Sequence, residues 1–317
     1  MTKLAQALAA TKDADKKMSA PELELALAEA LKDVDWRNPE QRYAVATDIV
    51  ELIKTDVFDQ DLVSMFADVR TFKQGEEIKF KTLEGLTAHV IEPGSFAPRS
   101  RLIAKETSLP KRLVTVAFPI NIAELRSGRY GSILDARQKA EEQLLGMRNA
   151  LVWNTMFGSI TSATTDSNYA TIASGDLAAT KQAALDAALE HCDEFTQNGP
   201  AAIIGRFSAL SWIEDLTSFS DTTKDVIMRD GFLGEYRGVP IIRMKSFRNS
   251  RFQELINSSN ILIIGRDTTK FGIVDPGLEV EEQYHGTTTR DWEIALWEEY
   301  GVAVVNSMRN YRIEIVG

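Results

Sequence analysis

The chain has 317 residues, 44% of them hydrophobic and 26% charged, with a net charge of −10, which suits one large or two medium folded domains. That acidic balance argues against a protein held to nucleic acid by an overall basic surface. The single cysteine, Cys192, excludes an internal disulfide and a cysteine-built metal site.

Residues 1–38 read as a polar arm with a mildly basic start (Lys3, Lys12, Lys16, Lys17) and one short helix behind Pro21. Leu23, Leu27 and Leu31 form a narrow apolar stripe on that helix, too short to be stable without a surface to lie on. A second helix is predicted from Pro39 to about Phe58, with Tyr43, Ile49, Ile53 and Val57 inward. Between residues 69 and 120 the period changes to two. Glu76–Leu83 and Leu113–Ile120 alternate apolar and polar residues and read as the two strands of a hairpin. The segment joining them, Glu84–Ser108, is roughly two dozen residues long, uncommon for a plain connection in a compact domain. Its apolar members, Leu86, Val90, Ile91, Phe96, Leu102 and Ile103, call for a partner surface.

Ser132–Phe157 carries the longest unbroken helical pattern, with Ser132 able to cap its start and Gly158 its end. Two apolar rows, one through Ala140, Leu144, Met147 and Leu151 and one through Leu145, Val152 and Met156, give a wide stripe for a core. Gly146 sits mid-helix, where glycine costs about 0.5–1 kcal/mol relative to alanine. It serves either as a bending point or to admit a close neighbour, the second being preferred. A Ser/Thr-rich connector, 159–174, precedes a helix over 175–197. Short apolar strands at 201–207, 239–244 and 261–264 then alternate with a helix at 210–216, making an α/β unit over 160–265. The tail is β-rich, closing with an alternating strand at Tyr311–Val316.

The sequence carries no recognisable catalytic constellation. Gly231, Gly234 and Gly238 are spaced wrongly for a phosphate or dinucleotide loop and read as turn glycines. His89, His191 and His285 are scattered, without a second ligand at metal spacing. Glu281–Glu282 and Glu298–Glu299 are neighbours in strands, so each pair splits between opposite faces and does not cooperate in acid–base work. Cys192 shares a helical stripe with Leu185, Ala188 and Phe195 and reads as a buried structural thiol. No enzyme activity, cofactor or metal is expected. No membrane association is expected either, because no apolar run approaches the ~20 residues of a membrane span and the N-terminus lacks a signal-peptide core.

The order of elements, with GEYRGVPII (234–242), NILIIGRDTTKFGIVDPGLEVEE (260–282) and DWEIALWEEYGVAVVNSMRNYRIEI (291–315), resembles the major capsid proteins of tailed bacteriophages. The resemblance implies the α+β Hong Kong 97-type fold, in six parts. These are an N-terminal arm (1–38), a helix and lead-in of the peripheral domain (39–68) and an extended hairpin loop (69–120). A spine helix (121–159), an axial domain (160–265) and a β-rich return completing the peripheral domain (266–317) follow. It implies self-assembly into hexamers and pentamers of an icosahedral shell around double-stranded DNA, with scaffold, portal and possible decoration proteins as partners. The subunit would be made in a bacterial host cytoplasm and end in the virion. Leu23, Leu27, Leu31, Leu86, Val90, Ile91, Phe96, Leu102 and Ile103 would make intersubunit contacts. Some members use a cleaved N-terminal scaffolding segment, and the short lead-in here implies a separate scaffold or a processed form. Some also crosslink a lysine to an asparagine beside a glutamate, for which Lys79, Lys81, Lys105, Asn306, Asn310 and Glu314 are the available residues. An encapsulin-type nanocompartment shell is the alternative, and a soluble α/β enzyme the second.

Overall fold

A computed structural model describes residues 31, 34–36, 38–59, 63–84, 103–121, 131–160, 167–196, 199–214, 234–245, 247–248, 254–275, 279–284 and 291–316. Its helices are α1 (Pro39–Asp59), α2 (Gly131–Gly158), α3 (Ala178–Phe195) and α4 (Phe207–Glu214). Its strands are β1 (Asp68–Lys73), β2 (Lys79–Glu84), β3 (Ile103–Ser108), β4 (Lys111–Asn121), β5 (Tyr169–Ala173), β6 (Pro200–Arg206), β7 (Glu235–Tyr236), β8 (Val239–Met244), β9 (Asn260–Gly265), β10 (Thr269–Asp275), β11 (Glu279–Tyr284), β12 (Asp291–Val304) and β13 (Tyr311–Val316).

Two sheets sandwich the spine helix. Among the described residues one sheet, called axial here after the domain that the resemblance implies, has six strands in the order β5-β13-β9-β6-β8-β7. Its central strands alternate between two cores: Ile203, Ile241, Ile261 and Ile263 face α3 and α4, whereas Ile204, Ile242, Leu262 and Ile264 face the second half of α2. Burial on both faces is why these strands read as continuous apolar runs. The second core continues through Val152, Trp153 and Met156 of α2 to Phe271, Ile273, Tyr300 and Val302 of the peripheral sheet. Among the described residues that sheet has five strands: long β12 pairs with β4 on one edge and with β10 and β11 on the other, and β1 adds to β10 in parallel.

α2 is 28 residues long, about 42 Å of rod at 1.5 Å per residue. Leu144, Arg148 and Val152 are buried along it, with Ala140 and Met156. A Cβ on Gly146 would overlap the Phe247 ring, so this glycine admits a close neighbour. In α1, Val45, Ala46 and Ile49 are buried with Arg42, while Tyr43, expected inward, is exposed. Its Arg42 donates to the Trp36 carbonyl at 3.1 Å. Ile53 and Val57 lie where side chains fall outside the description.

Besides the passage through α2, two short links carry the chain between the sheets, at 266–268 and at 305–310, and these two are stapled together. Asn310 Oδ1 accepts from the Gly265 amide (3.0 Å) and the Thr268 hydroxyl (2.8 Å). Asn168 Nδ2 donates to the carbonyls of Ser307 and Asn310, both at 2.8 Å. Arg312 fastens the end of α2 to the axial sheet, with its guanidinium over the Phe157 ring, donating to Asn260 (2.8 Å) and the Ile160 carbonyl (3.0 Å).

Several expectations need correction. Strand β2 pairs with β3, whereas the 113–120 strand, part of β4, runs along β12, so the hairpin is narrower than 69–120. The segment 68–73 is the peripheral strand β1, and the connector before α3 contains axial strand β5. The closing strand β13 joins β5 and β9, ending the axial rather than the peripheral sheet. α4 spans 207–214 instead of 210–216, and near its start the Ser208 hydroxyl donates to the Ser258 carbonyl at 3.3 Å. Among the turn glycines, Gly238 follows Arg237 with both at positive φ, a two-residue turn joining β7 to β8. Gly231 lies outside the described residues.

Candidate assembly surfaces

The hairpin β2–β3 is rooted in a socket. Ile78 and Leu109, joined by an amide–carbonyl bond of 2.9 Å, are buried with Phe80 and Val274 against Phe72. Beneath them, Gly272 and Gly301 face each other across β10 and β12. A Cβ on Gly301 would meet Leu109 and Ile78 at 2.9 and 3.0 Å, and one on Gly272 would overlap Ile78. Two opposed glycines thus make a dimple for the root, the close approach that glycine in a strand permits. Above the root the hairpin carries surface ion pairs, Lys79 with Glu77 (2.5 Å) and Lys81 with Glu106 (3.1 Å).

Strand β4 is the second surface. Among the described residues it pairs only with β12, over eleven positions. Its inner row, Val114, Val116 and Phe118, turns to the core as the alternation predicts, and its outer row, Leu113, Thr115, Ala117 and Pro119, is exposed. Leu113 is 59% exposed. An unpaired strand edge is a template for another chain.

Under both lies a buried ion pair that the sequence reading missed. Arg148 Nη2 of α2 donates to Glu298 Oε1 of β12 at 2.7 Å, with both side chains inaccessible. The guanidinium lies beside the rings of Tyr300 and Phe271. Burial first, and the Glu298 charge second, push the Tyr300 hydroxyl well above its ordinary pKa. Neighbouring Glu299 faces outward to Lys111 (3.5 Å), so this carboxylate pair does split between faces. Asp68 joins β1 to β10 through Lys270 at 2.9 Å and also receives Arg70.

The predicted contact residues separate. Leu31 is buried within its own subunit, 1% exposed, which corrects its assignment to a neighbour. Ile103 starts β3 opposite Glu84. Leu23, Leu27, Leu86, Val90, Ile91, Phe96 and Leu102 lie outside the described residues, as do His89 and His285. Asn310, named for a crosslink, is buried in the crossing staple, and Asn306 Oδ1 accepts from the Met308 amide. Glu314 accepts from the Tyr169 hydroxyl. His191 lies 2.9 Å from the Met308 carbonyl, between Phe195 and Tyr311. Cys192 is buried, and desolvation pushes its thiol up to about 12, although Phe195 of the same stripe is exposed. Among the described residues no group of three His, Cys, Asp or Glu could hold a metal, and no helix is long and apolar enough to cross a membrane.

This architecture of two sheets, a spine helix and a rooted hairpin meets its decisive comparison in a family profile. The family described as "SPbeta prophage-derived putative capsid protein YonB" matches residues 9–308. The chain belongs to this capsid family. It is a structural capsid protein, a virion component and not an enzyme. No curated protein sequence matches the chain. Solved structures give the fold. The capsid of cyanophage P-SCSP1u superposes with a TM-score of 0.57 at 11% identity, over 79% of this chain and 86% of that one. A structure from Mycobacterium phage Ogopogo gives 0.57 at 11%, over 81% and 92%. The virus-like particle from Pyrococcus furiosus gives 0.51 at 15%, over 84% and 98%. These likenesses are to the Hong Kong 97-type fold.

Proposed function

We propose that copies of this capsid protein form hexamers and pentamers and close a shell around double-stranded DNA, after synthesis in a bacterial host cytoplasm. The single observation that carries this reading is the contrast within one subunit: an axial core closed on itself beside an edge strand and a rooted hairpin that stand clear of it. Heterologous contacts repeated around rings use such surfaces. Leu86, Val90, Ile91, Phe96, Leu102 and Ile103 are the hairpin residues proposed to lie on a neighbour, with Leu23 and Leu27 of the arm on another. A scaffold protein, a portal and decoration proteins are the further partners.

The test is the content of purified shells after nuclease treatment. Protected double-stranded DNA, with an absorbance ratio above that of protein alone, is expected from shells made during infection or prophage induction. The likeness to the Pyrococcus furiosus particle makes an encapsulin-type container the second reading. Shells that carry a protein cargo and no nucleic acid would establish that reading instead.

A further inference from the structure

The axial domain is electrically polar along its strands. β6 and β8 run parallel and β9 runs against them, so the ends of β6 and β8 share one end of the sheet with the start of β9. Four cations gather there: Arg206 ends β6, Arg243 is on β8 opposite Gly205, Lys245 follows β8, and Arg248 bridges to Glu254. Glu254 is shared, accepting from Arg206 at 2.5 Å and Arg248 at 3.3 Å, and among the described residues the four cations outnumber it and Glu314, which lies opposite Asn260. Arg243 lies 4.5 Å over the ring of Phe207, itself 49% exposed. A stacked arginine on an exposed aromatic ring is held in place before any partner arrives, and Arg and aromatic residues dominate interface energetics.

The opposite end is acidic on balance: Glu190, Asp193, Glu194 and Asp267 outnumber Arg266 and Arg309 there. β13 runs against β9, so its first residue, Tyr311, lies at the far end of the sheet, where His191 of α3 packs on it. In these last turns of α3, Glu190, Asp193 and Glu194 are exposed, and the last turn holds no basic residue. Carboxylates at a helix C-terminus add to the negative pole of the helix dipole instead of compensating it. The seven residues of β6 separate the two ends by roughly 20 Å, more than twice the ~8 Å screening length at physiological salt. The poles therefore do not neutralise each other within one subunit, but they can across a contact.

We propose that the basic pole of one axial domain (Arg206, Arg243, Lys245, Arg248 with Phe207) docks on the acidic end of α3 in the next copy around the ring. This rests on the shell reading and names the partner surface within it. A second copy supplies the complementary charge, whereas a nucleic acid meets a chain of net charge −10. A head-to-tail contact of two unlike surfaces is also what a closed ring of identical subunits requires.

The test uses full-length chains with exposed positions reversed. Arg243→Glu/Lys245→Glu/Arg248→Glu and, separately, Glu190→Lys/Asp193→Lys/Glu194→Lys are each expected to lower the yield of rings and shells at least tenfold, with circular dichroism unchanged. The chain carrying all six substitutions should assemble again. Mixing the two triple variants should give rings of alternating subunits. Only even-numbered rings can alternate, so hexamers form without pentamers, and the products are sheets or tubes instead of closed shells. If a triple variant loses its folded spectrum, Arg248→Glu and Asp193→Lys, alone and combined, give the same comparison. Wild-type yields from either reversal, no recovery on combining them, or intact shells that lose only their nucleic acid would overturn the proposal. Wild-type protein that forms no rings would instead count against the shell reading.

Discussion

Strands β9 and β4 show how differently one chain finishes its two sheets. Every residue of β9 is buried, with α3 and α4 above it and α2 below. Strand β4 has one half-buried row and one exposed row, with only β12 beside it among the described residues. The axial core closes within one subunit, and under the proposed shell the peripheral edge is where another subunit would pack. Its guards fit that reading: Lys111, Arg112 and Pro119 on β4 are the residues that blunt an edge against indiscriminate pairing.

The sharpest way to break this contrast is through the charge pair under β12. Arg148→Met leaves Glu298 buried without its guanidinium and should cost about 3–5 kcal/mol in urea unfolding. Arg148→Met with Glu298→Leu should recover most of that loss. A double variant as unstable as the single one would mean that the arginine's packing, not its charge, holds α2 to the sheet.

The glycine contacts come next. Gly272→Ala, which drives a methyl into Ile78, and Gly146→Ala, which drives one into Phe247, should each cost about 1–3 kcal/mol. Gly158→Ala meets nothing within 4 Å and should be near neutral, which makes it the control. Gly272→Ala should also tilt the hairpin and reduce assembly beyond its effect on folding. Equal assembly at matched stability would reduce the socket to a packing detail.

A smaller effect is expected from pH. Burial works against the Asp68 charge, but hydrogen bonds from Lys270 and Arg70 outweigh it and hold the carboxyl below its ordinary value of 3.8. Its contribution is therefore full above about pH 4 and fades as pH falls through the lower folded value. Asp68→Asn should lower stability at neutral pH and flatten the acid limb of the stability curve. An unchanged acid limb would contradict the assignment. The smallest effect on the subunit belongs to Leu113→Ser, within about 0.5 kcal/mol because the side chain is exposed. In assembled shells, hydrogen exchange should slow at the amides of β4 while those of β6 and β9 stay unchanged. Equal exchange in β4 before and after assembly would remove it from the interface.

Much of this contrast was legible in the sequence. AAIIGRF and NILII read as buried strands because both faces are covered, and the alternation of Val114, Val116 and Phe118 marked the inner row of β4. Partner choice was not legible. Period two says that 76–83 and 113–120 are strands, but not that the first pairs with β3 and the second with β12, far along the chain. The same limit hid the destination of β13. Arg148 stood in an apolar stripe with its partner 150 residues away, so burial of its charge could not be inferred locally. Leu31 shows the converse, an apolar residue assigned to a neighbour because the surface of its own chain that buries it cannot be seen from local spacing. Gly272 and Gly301 did carry a signal, as glycines inside strands, that points to close approach.

The mass of particles formed by the purified chain, measured together with their electron-microscope images, tests the account most directly. Megadalton closed shells, or hexamer- and pentamer-sized rings awaiting a scaffold, are the predicted result. A stable 35.3 kDa monomer at every concentration, with β4 and the hairpin covered by its own chain, would contradict it.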